Sequence, residues 1–137
     1  MIKLIVGKKG SGKTKALVDM INNAAQTSQG SVICIDKSTK LTYDIKHTVR
    51  LCDVDVYKIE GFDMFYGFVC GLLASNYDIS EVFVDSILKI GGGDHDVSGF
   101  TKLLEKLEGV LEESNNITFT VSAAREDLPT EIHKFIV

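Results

Sequence analysis

The sequence predicts an α/β chain, a three-layer α/β/α sandwich built on a mainly parallel central sheet. Three observations lead there. Short apolar runs suited to strands alternate with helical segments of roughly 15 residues, the signature of βαβ units. One of those runs, Ser31 to Asp36, is apolar almost throughout instead of alternating, as suits a strand covered on both faces. A glycine-rich loop, Gly7 to Thr14, stands between the first apolar run and the first helical segment. At 137 residues the chain reads as one domain, long enough to bury about two-thirds of its unfolded surface.

The elements follow in order. Ile2-Lys3-Leu4-Ile5-Val6 is the first strand. Gly7-Lys8-Lys9-Gly10-Ser11-Gly12-Lys13-Thr14 then matches G-x-x-x-x-G-K-[ST], in the strand-then-helix setting that this pattern requires. Ala16, Leu17, Met20, Ile21 and Ala24 recur at helical spacing, so the first helix runs from about Lys13 to Thr27, with Gly30 as a turn after it. Residues 37–61 are dense in charge and give the weakest pattern. Thr48 to Cys52 alternates as an edge strand would, Asp55 to Ile59 offers a second short strand, and Gly61 ends the region.

Phe62, Phe65, Tyr66, Val69, Leu72 and Leu73 form the stripe of the next helix, with Asp63 in its first turn, where a carboxylate favours the helix dipole. Gly67 and Gly71 fall on one face, a spacing that permits close packing against another element or a second copy of the chain. Glu81 to Ser86 is a strand that runs into an acid, Asp85. The three glycines after Ile90 predict a mobile loop, in which Asp94-His95-Asp96 is solvated or ligates a metal. Ser98 or Thr101 caps the following helix, whose stripe is Phe100, Leu103, Leu104, Leu107, Val110 and Leu111. Asn115-Asn116 makes a turn, Ile117 to Ser122 alternates as a strand, Pro129 breaks the chain, and His133 to Val137 forms a final strand or a packed tail.

The residue types of the loop have a common chemistry. Gly7, Gly10 and Gly12 permit backbone angles barred to other residues and a close approach to an anion. The amides of Lys8, Lys9 and Ser11, with those of the helix start, are donors for a phosphate chain. Lys13 is placed to reach the β- and γ-phosphates, and the Thr14 hydroxyl to ligate Mg²⁺. The fixed positions coincide by chance in roughly one chain of this length in a few hundred. Asp85 ends an apolar strand, where open parallel sheets bind ligands, and is the candidate carboxylate on the magnesium side. Asp36, which also ends an apolar strand, is its rival.

With this loop and acid the chain resembles the P-loop NTPase superfamily, with Gly7–Thr14 as the Walker A motif and Val82–Asp85 as the Walker B pattern. It is similar to small stand-alone bacterial P-loop ATPases, some labelled twitching-motility-type. The resemblance implies ATP and Mg²⁺ as ligands, with Lys13 and Asp85 in the catalytic machinery and Thr14 and Asp85 holding the metal. It implies a sheet order of final strand, Ile2–Val6, Ile117–Val121, Val82–Asp85, Val32–Asp36. It also implies that Ser122, at a strand end, senses the γ-phosphate, with Arg125 three residues on. Hydrolysing relatives commonly carry Glu directly after the Walker B acid. Here that residue is Ser86, which leaves Glu60, Asp94 or Glu126 as a replacement, or slow turnover.

Three functions follow from this: an ATP-binding switch with weak or partner-stimulated ATPase activity, a small-molecule or nucleotide kinase, and a nucleotide-bound interaction module. Kinases clamp the transferred phosphate with several arginines, and only Arg50 and Arg125 are present. The base-reading N/T-K-x-D pattern of GTPases is absent. A net charge of −4 with two arginines argues against a nucleic-acid surface. Homo-oligomerisation or a protein partner stays open. Cys34, Cys52 and Cys70 are widely spaced among apolar neighbours, as buried free thiols of a reducing compartment are. With no leader pattern and no apolar stretch long enough to span a bilayer, the expected location is the cytoplasm. His47, His95 and His133 have no spacing that suggests a metal site.

Overall fold

The computed structural model describes all residues except 39, 40, 42, 43 and 93–95. Among the described residues, nine regular elements run in the order β1 (Ile2–Gly7), α1 (Lys13–Thr27), β2 (Ser31–Asp36), β3 (Arg50–Asp53), α2 (Phe62–Ser75), β4 (Ile79–Val84), α3 (Ile87–Ile90), α4 (Val97–Glu108) and β5 (Asn116–Ser122). Two short 3-10 segments, Arg125–Asp127 and Thr130–Phe135, follow. The five strands form one sheet in the order β1-β5-β4-β2-β3, and every ladder is parallel.

Alternation along the strands divides the interior into two layers. Val32 and Cys34 of β2 and Phe83 of β4 pack with Leu17, Ile21 and Ala24 of α1. Leu41, Ile45 and Val49, from the connection after β2, complete that cluster. On the opposite face Ile33, Ile35, Val82, Val84, Ile117, Phe119 and Val121 pack with α2, α3 and α4. The larger layer centres on Phe119, whose ring meets Phe100 edge-on at 5.9 Å and Phe65 at 6.2 Å. Both faces of the sheet are thereby covered, which is what continuous apolar strands require.

The order β1-β5-β4-β2 agrees with the sequence expectation, and the tail makes a single parallel bridge, Leu4 to Ile136, in place of a full final strand. Three local expectations are corrected. Residues 55–58 are turn and Ile59 is irregular, instead of strand. The ladder of β3 ends at the pair Asp36–Asp53, where β2 itself ends, so nothing remains for later residues to pair with. Asp96, not Ser98 or Thr101, caps α4, its carboxylate accepting from the Gly99 amide at 2.9 Å. Gly67 and Gly71 are both exposed, and a methyl group added at either would meet no atom within 4 Å, so among the described residues no other element of the chain packs closely on them. The expected solvated or metal-ligating loop, Asp94-His95-Asp96, falls partly outside the described residues, and Asp96 serves as the helix cap.

Candidate functional site

The site forms at the carboxyl ends of β1, β5 and β4. β1 delivers the chain into the glycine-rich loop, and α1 leaves it at Lys13. Gly10 and Gly12 have φ of 85° and 86°, so both turns use the left-handed region that favours glycine. Gly7 matters for another reason: a Cβ there would collide with the Ser11 hydroxyl. The Ser11 amide donates to Lys8 O at 3.1 Å, closing the loop on itself. The first bond of α1 is Ala16 N–H to Gly12 O at 3.1 Å, and no side chain caps the helix. Its leading amides and the positive end of its dipole therefore face the loop.

Lys13 is only 9% exposed. Its Nζ donates to Lys8 O at 2.9 Å and to Ser11 Oγ at 3.4 Å, so the ammonium sits inside the loop instead of reaching into solvent. Burial lowers its pKa from the usual lysine value, and the negative charge of Asp85 opposes that shift. Lys8 and Lys9 are exposed at the rim.

Thr14, in the first turn of α1, meets Asp85, which directly follows β4. The Thr14 Oγ1 lies 3.3 Å from each carboxylate oxygen, across 71 residues of sequence. Asp85 is fully buried, and its carboxylate also accepts from Thr120 Oγ1 at 2.6 Å. Asp36, the rival acid, is buried at the end of β2, where it accepts from the Lys37 amide at 2.7 Å and from Ser38 Oγ at 3.4 Å. A hydroxyl and a carboxylate side by side are hard oxygen donors of the kind that Mg²⁺ takes, so Thr14 and Asp85 fit that ion.

Ser86 begins the turn into α3 with φ 59° and ψ 52°, left-handed for a residue that is not glycine. Its amide donates to Thr120 Oγ1 at 2.7 Å. Beside the loop, Lys8, Lys9 and Lys89 line a cavity of about 660 Å³ together with Ser122 and Ala123, and Asp127 is the acid among its described lining residues. Glu60 lines a different cavity, between the starts of α2 and α4. Glu126 and Arg125 are exposed on the 3-10 turn, and Asp94 lies outside the described residues.

Sequence reasoning brought Lys13, Thr14 and Asp85 together and missed Thr120, Lys89 and Asp127. A weak signal for Thr120 existed: Thr118 and Thr120 fall on the polar face of an alternating strand in a sheet expected to be covered on both sides. The expected order set β5 beside β4, but not the register that pairs Phe119 with Val84 and so brings Thr120 to Asp85. Neither the protein-family models nor the curated proteins include a match to this chain. Among the described residues, no helix is long and apolar enough to cross a membrane.

Proposed function

We propose that this chain is a P-loop NTPase that binds ATP with Mg²⁺ and hydrolyses it slowly or under the control of a protein partner. The observation that carries the reading is the meeting of Thr14 with Asp85 beside the uncapped start of α1. The loop amides and the helix start would bind the phosphate chain. Lys13 would exchange its bonds to Lys8 O and Ser11 Oγ for phosphate oxygens, which replaces two neutral acceptors with charged ones. Thr14 and Asp85 would hold magnesium, which when bound neutralises charge on the phosphates.

The case for slow turnover rests on position 86. A serine stands there with its amide tied to Thr120, so no carboxylate directly follows Asp85 to orient an attacking water. A hydroxyl is a poor base for that role. The kinase reading has one observation in its favour: the lysine-walled cavity beside the loop suits an anionic acceptor. ADP formed without matching inorganic phosphate would identify such transfer.

The test is binding of a non-hydrolysable ATP analogue with Mg²⁺, alongside steady-state turnover of ATP. Lys13→Ala should lose at least tenfold in analogue affinity, in line with the loss of a charged hydrogen bond of about 1.5–3 kcal/mol, and should keep its circular dichroism spectrum. Equal affinity in the wild type and Lys13→Ala sinks the site.

A further inference from the structure

The geometry points to Thr120 as a positioning residue for the magnesium carboxylate, an inference that rests on the nucleotide-binding reading above. Thr120 lies on β5, between the strand that carries the loop and the strand that carries Asp85. Its neighbours Phe119 and Val121 point into the layer of α2 to α4, so its own side chain faces the α1 side, beneath the loop. There its single hydroxyl does two things. It donates to Asp85 Oδ1 at 2.6 Å and accepts from the Ser86 amide at 2.7 Å. Thr120 is 1% exposed and Asp85 is fully buried, so water does not substitute for either bond.

The direction of these bonds carries the inference. A hydroxyl has one proton, and the Ser86 N–H can only donate. The Thr120 proton must therefore go to Asp85, which has to accept it. The clip thus fixes one carboxylate oxygen while Thr14 Oγ1 stands 3.3 Å from both. It fixes the backbone as well. Ser86 holds a left-handed conformation that is unfavourable for a residue with a side chain, and its amide is anchored to the same hydroxyl. One side chain therefore sets both the rotamer of Asp85 and the turn that follows it. Groups that orient a metal ligand from behind typically change metal affinity 10–100-fold when removed.

Thr118 supplies the internal comparison. It is one pleat earlier on the same face of β5 and equally buried, yet its hydroxyl has no partner among the described residues. Removing that hydroxyl deletes an unsatisfied polar group and touches neither Asp85 nor Ser86.

The experiment titrates Mg²⁺ into each protein with a fluorescent ATP analogue and reads the Mg²⁺ concentration giving half of the affinity gain. Analogue affinity without Mg²⁺ is measured separately. Thr120→Val, close to isosteric, should raise the half-point at least tenfold and leave magnesium-free affinity within twofold. Thr120→Ser should restore the half-point to within about threefold, and Thr118→Val should leave it unchanged. In an Asp85→Asn background, Thr120→Val should have no further effect. If Thr120→Val does not fold, Thr120→Ala takes its place under the same expectations. An unmoved half-point overturns the inference, and so does an equal fall of affinity with and without Mg²⁺. So does Thr120→Ser behaving as Thr120→Val does. A wild type that fails to bind the analogue at all removes the nucleotide reading itself, and the role of Thr120 falls with it.

Discussion

Helix α2 allows a sharp prediction, because two of its residues oppose helix formation for no visible gain. Gly67 and Gly71 are in its interior, both are exposed, and an added methyl group at either meets nothing within 4 Å. Glycine within a helix costs about 0.5–1 kcal/mol relative to alanine, through the entropy of the unfolded chain. Gly67→Ala and Gly71→Ala together should therefore stabilise by about 1–2 kcal/mol. For a chain of 137 residues that corresponds to a rise in Tm of about 3–8 °C. The assay is thermal unfolding followed by circular dichroism at two protein concentrations, with mass measured by light scattering. A fall in Tm would refute the reasoning, since it would mean that something packs on this face and that the methyl groups intrude upon it. A fall that appears only at the higher concentration would identify the intruded surface as a contact between copies.

Two further outcomes follow from other positions. Gly12→Ala should destabilise by about 1 kcal/mol, although its new methyl group also meets no atom, because φ is 86° there and the cost is in the backbone alone; a thermal melt with unchanged Tm would contradict that backbone. Glu81 has its carboxyl pKa raised above 4.5, chiefly by burial, with the Asn116 hydrogen bond, Lys3 and the N-terminal amine opposing. The folded state then holds its proton to higher pH than the unfolded state does, so stability falls as pH rises through and above 4.5. Glu81→Gln, whose amide oxygen can still accept from Asn116, should flatten urea-melt stability between pH 4 and 7 and raise it at pH 7.

The parts that sequence specified best are those where one local pattern decides the outcome. The limits of α1 were readable because the glycine loop fixes its start and Leu17, Ile21 and Ala24 mark its buried face. β2 was readable because five of its six residues are buried. Thr14 and Asp85 were linked only through resemblance, since nothing local in either segment points to the other. The region after β2 failed for a physical reason. Val54, Asp55 and Val56 alternate apolar and polar as a strand would, but Val54 is buried and Val56 is 66% exposed, which two residues on one face of a strand would not be, and β2 ends at Asp36 and offers no further partner. A strand is a property of two segments, and the alternation of one reports only half of it. The clip at Thr120 was hidden in the same way, because its partners, Asp85 and Ser86, come just after β4, and only the register between β4 and β5 sets them against Thr120.

The sheet order also places the loop-bearing strand at a border. Among the described residues, β1 has a strand neighbour on one side only, β5. Its other side is met by the end of the chain, where Val137 N–H donates to Leu4 O at 3.0 Å and Ile136 bridges Leu4. Unpaired borders are templates on which foreign strands assemble. At the opposite border, β3 has only four residues and presents a short template. Here the last two residues shield the middle of β1, so they guard the strand that feeds the glycine loop against intermolecular pairing.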